Sequence, residues 1–263
     1  MLIDSHCHLD AAEFDGDRLA VVERARSLGV ATIVVPAVER ANFAAVASVC
    51  REFSCCRPAY GIHPMYVGRA QKADLDVLRA KLAEASTVAV GEIGLDYFVA
   101  EPAVELQGFF LVEQLKVARD LNLPVLLHVR RAVDAVLAQL RRIVVPGGIA
   151  HAFNGSRQQA DAFIGLGFKL GFGGAMTHPR ATRLRQLAMS LPIEAIVLET
   201  DAPDIPPEWL GRARNEPAEL ARIATVLAEL RGVGVAEVAS QSARNTLAVL
   251  PRLGEPALEP KGA

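Results

Sequence analysis

Short runs of apolar and β-branched residues recur along the chain, and longer amphipathic segments separate them. Alternation of this kind predicts parallel strands that are joined by crossover helices. The predicted strands are 2–8, 32–37, 59–63, 88–92, 125–129, 148–152, 168–173 and 196–201. The predicted helices are 18–28, 43–52, 75–85, 104–121, 132–142, 157–166, 217–230 and 235–250.

Eight evenly spaced strands predict the α/β class and, within it, a closed (β/α)8 TIM barrel of the metal-dependent hydrolase type. An open, doubly wound sheet is the alternative. No Gly-x-Gly-x-x-Gly follows the first strand, which disfavours a dinucleotide-binding fold. We expect one barrel domain over residues 1–253. Residues 254–263 are rich in Pro, Gly and charge and are expected to form a flexible tail.

Composition narrows the class of protein without naming an activity. The chain has 263 residues, of which 51% are hydrophobic, a net charge of −2 and a pI near 6.3. No apolar run approaches the roughly 20 residues of a membrane helix, and the first residues lack a signal-peptide pattern, so we expect a cytoplasmic protein. The weak charge disfavours a protein that coats nucleic acid, although it is compatible with a nuclease.

Residues suited to metal binding stand where several predicted strands end. In a (β/α)8 barrel the carboxyl ends of the strands form one face, and that face carries the active site. Side chains that are distant in sequence therefore converge there. The side chains expected on this face are His6, His8, His63, Glu92, His128, His151 and Asp201.

His6 and His8 lie two residues apart on a predicted strand, so both side chains point to the same side and Cys7 points away. Two neutral imidazoles on one side can chelate a divalent ion. Glu92 closes an apolar run, and a buried carboxylate is costly unless it is paired or bound to metal. An ion pair with Arg130 is the alternative for Glu92.

The number of candidate ligands indicates more than one ion. Four imidazoles and two carboxylates exceed the three protein ligands of a catalytic zinc that keeps an open position. They suit two divalent cations that activate water for hydrolysis. Nitrogen and oxygen donors without thiolate fit Zn, Mn or, less well, Mg. The sequence contains neither a Gly-x-Ser-x-Gly elbow nor a phosphate-binding P-loop.

The sequence closely resembles the TatD family of metal-dependent deoxyribonucleases over almost its whole length. The motifs that carry the resemblance are Asp4-Ser5-His6-Cys7-His8-Leu9-Asp10, Gly61-Ile62-His63-Pro64, Gly91-Glu92-Ile93-Gly94-Leu95-Asp96-Tyr97, Leu123-Pro124-Val125-Leu126-Leu127-His128-Val129-Arg130, His151-Ala152-Phe153-Asn154-Gly155-Ser156, Leu198-Glu199-Thr200-Asp201-Ala202-Pro203, Arg214-Asn215-Glu216-Pro217 and Ala243-Arg244-Asn245-Thr246. Asn154 replaces the serine that is usual in this family, which leaves the metal ligand intact.

The resemblance implies how two metals are held. One metal is bound by His6, His8 and Asp201, and Asp201 also orients or deprotonates the attacking water. Glu92 bridges to the other metal, whose remaining ligands are His128 and His151.

The resemblance also implies contacts around the metals. The substrate phosphate would be held by His63, Arg130 and Asn215. For Asn215, a loop cap before the following helix is an equal alternative. Asp96 would support the site rather than bind metal.

A phosphodiesterase that acts on DNA, as a nuclease or a 3′-end exonuclease, is the leading hypothesis, with single-stranded DNA or 3′ ends as its partner. Only 5% of residues are aromatic. The candidate stacking residues are Tyr66, Tyr97, Phe98, Phe153 and Trp209. The candidate phosphate contacts are Arg130, Arg131, Arg157, Arg180, Arg212 and Arg214.

Two other functions remain open. An amidohydrolase-type enzyme could cleave an ester or amide, including an aminoacyl ester on tRNA, with the same metal-bound water. A non-catalytic metal-binding protein would require the loss of a ligand, and every expected ligand is present. We expect neither a membrane association nor an obligate protein partner, and we interpret His178 as a loop or helix-start residue.

Overall fold

The apolar runs form eight strands of one sheet, in which each strand pairs in parallel with the next along the chain. The computed structural model describes residues 1–254. The strands are β1 (Leu2–Asp4), β2 (Val30–Pro36), β3 (Cys56–Tyr60), β4 (Ala89–Asp96), β5 (Val125–Arg130), β6 (Gly148–Ala150), β7 (Phe168–Phe172) and β8 (Ile196–Leu198).

Helices surround this sheet and bury their apolar faces against it. They are α1 (Arg18–Ser27), α2 (Phe43–Glu52), α3 (Asp74–Leu82), α4 (Val104–Asp120), α5 (Val133–Arg142), α6 (Arg157–Gly165), α7 (Thr182–Ser190), α8 (Leu220–Arg231) and α9 (Val235–Val249). Local sequence sets several ends. A capping box of Ser156 and Gln159 starts α6, and Gly232, in the left-handed conformation, ends α8.

Helix α7 is the one helix that the sequence pattern did not predict. Its nine residues contain two arginines, and the inward side chains Leu184, Leu187 and Ala188 make only a short apolar stripe. A stripe of this length lies below what periodicity distinguishes from a loop.

The barrel closes where the residues after β1 meet those after β8. The Ser5 amide donates to the Leu198 carbonyl at 3.1 Å. The Asp4 carboxylate accepts from the Thr200 amide at 2.9 Å and from the Thr200 hydroxyl at 2.6 Å. Burial raises the pKa of Asp4 to about 7 despite these bonds. Because the strand order is sequential and the two ends meet, the (β/α)8 barrel is confirmed, and the open doubly wound sheet is wrong.

An apolar layer fills the interior of the barrel. The strands contribute Val34, Ala59, Ala89, Leu126, Ile149 and Val197 to this layer. The end of α9 and the turn that follows it contribute Val249, Leu250 and Leu253. Side chains two residues further along a strand point to the same side. His128 therefore lies above Leu126, and His151 lies above Ile149. The polar site is built directly on this apolar layer.

The structure corrects the position of Glu92 within its strand. The sequence placed this residue at the end of its strand, whereas β4 continues to Asp96. Val90 pairs with Val125 but Ile93 pairs with Leu127, so one extra residue is inserted between them. Such a bulge changes the direction of a side chain inside a strand, and here it allows Glu92 to reach the barrel axis from mid-strand.

The predicted single domain over 1–253 stays a prediction. Most of the predicted tail, residues 255–263, lies outside the described residues. Within residues 1–254, no helix is both long and apolar enough to cross a membrane. The cytoplasmic location likewise stays a prediction.

We expect Thr200→Val to lower the free energy of unfolding by about 1–3 kcal/mol, because it removes the hydroxyl that satisfies the buried Asp4 carboxylate. Urea denaturation of metal-free protein measures the change. Thr225→Val is the matched control, since its hydroxyl is exposed and bonds only within α8, and it should change stability by no more than about 0.5 kcal/mol. Equal effects of the two variants would show that the Asp4–Thr200 bond does not stabilise the closure of the barrel between β1 and β8.

Candidate metal centre

The residues predicted as ligands converge at one end of the barrel. His6 and His8 follow β1, Glu92 lies in β4, and His128 lies in β5. The remaining members follow the ends of β3, β6 and β8, and they are His63, His151 and Asp201. Most of these side chains are buried: His6 is 0% exposed and Glu92 is 2% exposed. Within residues 1–254, three groups have ligand atoms close enough to hold a metal ion; they are His6–His8–Asp201, His6–Glu92–His151 and His63–Glu92–His128.

The Glu92 carboxylate lies at the centre of the cluster, and each of its oxygens faces a different set of imidazoles. Its Oε2 lies 3.3 Å from Nε2 of His6 and 3.5 Å from Nε2 of His8. Its Oε1 faces the second set, at 3.3 Å from Nε2 of His63, 3.0 Å from Nδ1 of His128 and 2.8 Å from Nε2 of His151. A carboxylate with one oxygen toward each set has the arrangement of a bridging ligand.

Asp201 completes the first set. Its Oδ1 lies 3.6 Å from Nε2 of both His6 and His8. The two Nε2 atoms of these histidines are 3.3 Å apart, and Cys7 between them is buried in the core. The alternation predicted for this triplet is therefore confirmed.

Burial and neighbouring charges act in opposite directions on the pKa values of the clustered side chains. Burial alone would raise the pKa of Glu92, but the imidazoles of His63, His151 and His6 together lower it well below its usual range. Burial alone would lower the pKa of His151, but Glu92 outweighs it and raises that pKa to about 10. For His6 burial prevails, and its pKa falls to about 3. Without a cation, the cluster therefore retains protons on some of its imidazoles.

Two glycines allow β4 to approach β5 closely at this point. A Cβ on Gly91 would lie 2.5 Å from Cβ of Leu126, and a Cβ on Gly94 would lie 1.8 Å from the carbonyl oxygen of His128. Gly94 also has a φ of 155°, which disfavours other residues. The close approach of β4 to β5 at these glycines brings Glu92 next to His128.

Non-glycine residues in the left-handed conformation flank the centre. Asp201 has φ 57°, Ala152 after His151 has φ 43°, and Arg131 after β5 has φ 54°. Such backbone conformations cost energy and concentrate at functional sites. Here they turn the chain immediately beyond three strands, at the rim of the barrel.

Two further buried acids support the ligands. Asp96 Oδ2 lies 3.0 Å from Nε2 of His128, so it contacts the ring nitrogen opposite Glu92, in the supporting position expected for it. Glu199 Oε1 accepts from the amide of Ala152, beside His151. Glu199 fits because β7 has glycine at 171, where a Cβ would lie 2.2 Å from the carboxylate. The contact between Glu199 and Ala152 joins residues 47 positions apart, so the sequence pattern alone could not predict it.

A cavity of about 810 Å³ opens above the cluster. Its wall includes two of the predicted substrate contacts, His63 and Arg130, together with Asn154 and Tyr66. His63 accepts from the Met65 amide through Nδ1 and directs Nε2 toward Glu92.

For Asn215, the structure agrees with the alternative in which this residue holds the loop before the following helix. Its side chain is fully buried, and its amide donates to the carbonyls of Thr200 and Asp204 at 2.8 Å each. Its Oδ1 accepts from the Glu216 amide. All of its hydrogen-bonding capacity is used within the loop after β8, so Asn215 anchors this loop. His178 is also a loop residue, and its Nε2 bonds to the Pro206 carbonyl.

The donor set fits divalent cations. Imidazole nitrogens and carboxylate oxygens face each other across 2.8–3.6 Å, and a neutral imidazole has only one N–H donor to share. A cation among them satisfies the remaining lone pairs without added protons. Thiolate is absent from the cluster, which suits Zn, Mn or Mg.

Comparison with known proteins agrees with this site. The model of the TatD-related DNase family matches residues 3–251. The metal-dependent hydrolase YjjV of Escherichia coli K12 is 42% identical over 247 residues, which cover 93% of this chain and 95% of the relative. The 3′-5′ ssDNA/RNA exonuclease TatD of Shigella flexneri is 31% identical over 252 residues, which cover 93% and 96%.

A solved structure shows the same architecture. The crystal structure of YjjV from Escherichia coli superimposes with a TM-score of 0.92 at 41% identity, and the match covers 95% of this chain and 98% of the other. The resemblance inferred from the motifs is confirmed over nearly the whole length. The chain belongs to the family of TatD-related DNases, which are metal-dependent hydrolases.

Proposed function

We propose that this protein is a two-metal phosphodiesterase that removes nucleotides from the 3′ end of single-stranded DNA. The observation that carries the proposal is the buried Glu92 carboxylate, whose two oxygens face separate sets of imidazoles at the floor of an open cavity. Such an arrangement suits a pair of cations that share one ligand.

The ligands divide between two sites. His6, His8 and Asp201 would hold the first cation, and the second would share the Glu92 carboxylate with it. His128 and His151 complete the second site, with Asp96 fixing the ring of His128. His63 also faces Glu92 Oε1, so it stands between the second site and the cavity, where it contacts the substrate phosphate.

Two divalent cations bound here supply an activated water and positive charge for a phosphodiester in its transition state. The protein residues supply the remaining steps. Burial raises the pKa of Asp201 above that of an ordinary aspartate, which suits it to accept the proton of the attacking water. Arg130, at the cavity wall, donates to the non-bridging phosphate oxygens.

The choice of DNA rests on the cavity and on a relative. The cavity is open enough to admit a chain end, and arginine lines it. The Shigella flexneri relative is named a 3′-5′ ssDNA/RNA exonuclease. Hydrolysis of carboxylic esters or amides, including aminoacyl esters of tRNA, uses the same water, so these substrates form the comparison panel in the first experiment.

We expect Asp201→Asn to lower kcat on 3′-labelled single-stranded DNA by about 10²- to 10⁴-fold, because the variant cannot accept a proton. Metal-reconstituted wild-type protein should release nucleotides stepwise and should leave carboxylic esters and amides largely intact. Chain cleavage is followed on gels, and circular dichroism checks the fold.

The matched control is Asp161→Asn, an exposed aspartate on α6 that pairs with Arg157. It should retain wild-type activity. Wild-type rates in a folded, metal-loaded Asp201→Asn sample would contradict the assigned role. Cleavage of esters but not of DNA by the wild type would replace the phosphodiesterase with the amidohydrolase-type alternative.

We expect metal uptake to release protons and to tighten as pH rises from about 6 to 8. Against the effect of burial, Asp96 and Glu92 raise the pKa of His128, and Glu92 raises the pKa of His151. Cations must therefore displace protons from these imidazoles, and that competition weakens as the proton concentration falls. Calorimetric titration in buffers of different ionisation enthalpy measures the protons released, and elemental analysis measures the metal bound.

Wild-type protein should bind two equivalents of metal. Glu92→Gln should bind fewer and should release fewer protons, because the carboxylate that raises both pKa values is gone. Glu229→Gln, an exposed residue of α8, is the control and should match the wild type. Equal stoichiometry and proton release in all three proteins would refute the bridging role of Glu92.

A further inference from the structure

Only some of the aromatic residues available for base stacking are free to contact a substrate. Phe153 is 4% exposed and packs in the core. The indole N–H of Trp209 donates to Glu219, and Arg222 lies 4.0 Å above its ring. By contrast, the side chain of Phe98 is 45% exposed.

Two arginines pack against the ring of Phe98. The guanidinium carbon of Arg130 lies 3.7 Å from the ring centroid, and that of Arg131 lies 4.5 Å from it. Two other candidate phosphate contacts are already paired, since Arg157 pairs with Asp161 and Arg214 pairs with Asp17.

The guanidinium groups of Arg130 and Arg131 make neither an ion pair nor a hydrogen bond with any residue in the described part of the chain. A guanidinium carries five N–H donors. Two guanidinium groups therefore pack against one exposed ring with their donors unused, which fits an anionic ligand with several acceptor oxygens, such as a phosphodiester.

The backbone ties this group of side chains to the metal centre. The Phe98 amide donates to Asp96 Oδ1 at 2.8 Å, and Asp96 Oδ2 contacts His128. The Tyr97 amide donates to the carbonyl of Arg130 at 2.9 Å. Arg130 itself lines the cavity. The left-handed conformation of Arg131 occurs where the chain leaves β5 beside Phe98.

We propose that Phe98, Arg130 and Arg131 form a nucleotide-binding subsite, here called the Phe98 platform, at the rim of the cavity. It takes the nucleotide next to the phosphodiester that is cleaved. The base stacks on the planar groups of the platform, and the Arg131 guanidinium donates to the phosphate of that nucleotide, while Arg130 keeps its contact with the phosphodiester that is cleaved. The inference rests on the proposed phosphodiesterase function and adds how a single strand is held.

Recognition of this kind is tolerant of sequence, because every base offers a planar face. It also requires an unpaired base, since a base within a duplex is already stacked on both sides. The platform therefore selects single strands without reading their sequence.

The experiment compares Phe98→Ala, Phe98→Leu and Phe98→Trp with the wild type on single-stranded DNA and on bis(4-nitrophenyl) phosphate, which lacks a neighbouring nucleotide. Loss of the ring should raise KM for DNA about 10-fold or more, whereas kcat and the rate on the small diester change less than about 2-fold. Phe98→Trp should restore KM. Met189→Ala removes an equally exposed side chain of α7 and should behave as wild type.

An oligonucleotide with an abasic residue at the terminal or penultimate position tests the stacked base directly. At the position that meets the platform, the abasic substitution should raise KM for wild-type protein and should have no further effect on Phe98→Ala. Additive effects at both positions would overturn the proposal.

Arg131→Ala tests the phosphate contact. On single-stranded DNA, the slope of log KM against log salt should fall by about 0.7, the value for one phosphate contact. Phe98→Ala should leave this slope unchanged. Arg142→Ala is the control, because this exposed arginine ends α5 at the opposite end of the barrel from Arg131, and it should not alter the slope.

Wild-type KM values for DNA in both Phe98→Ala and Arg131→Ala would overturn the platform. DNA and the small diester would still be cleaved in that case, so the proposed phosphodiesterase would stand. If wild-type protein, loaded with metal, cleaves neither substrate, the proposed function fails and the platform fails with it.

Discussion

Burial of the Glu92 carboxylate is possible only if both of its oxygens meet positive charge or N–H donors. Five imidazoles from different parts of the chain satisfy this requirement. Because these imidazoles come from residues that follow or belong to β1, β3, β5 and β6, Glu92 is buried favourably only when the barrel is closed. The same balance leaves protons on part of the cluster until cations replace them. A single carboxylate thus links closure of the fold, metal binding and proton release.

Around this centre, other buried acids fix the backbone rather than the metals. Asp4 joins the segments that carry His6 and Asp201 through its bonds to Thr200. Glu199 holds the amide after His151, and Asp96 holds His128. Each carboxylate accepts a hydrogen bond from a backbone amide near the end of a strand, where the sheet provides no partner. These contacts therefore position candidate ligands that lie on loops beyond the strand ends.

The sequence predicted the barrel because its eight apolar runs are short, evenly spaced and interleaved with amphipathic helices, and it predicted the convergence of the ligands because strand ends share one face. Its errors have local causes. Glu92 was placed at a strand end because a bulge leaves no signature in a hydrophobic pattern. Helix α7 was missed because its apolar stripe is short. For Asn215 the sequence left a substrate contact and a loop cap open, because the carbonyls around its amide come together only once the loop is folded.

The candidate metal centre and the rim of the cavity bear on different properties of the substrate. Cations held by this carboxylate and these imidazoles would activate water equally well for a phosphodiester and for a carboxylic ester, so the ligands alone leave the scissile bond open. Selection therefore depends on groups that do not bind metal. Arg130 belongs to both regions, since it lines the cavity and stacks on Phe98. Its unused N–H donors favour an anionic substrate over a neutral ester, and the exposed ring beside it favours one that carries a planar base. The proposed preference for a nucleic acid therefore rests on residues at the rim of the barrel, whereas the capacity for hydrolysis rests on the candidate metal ligands at its floor.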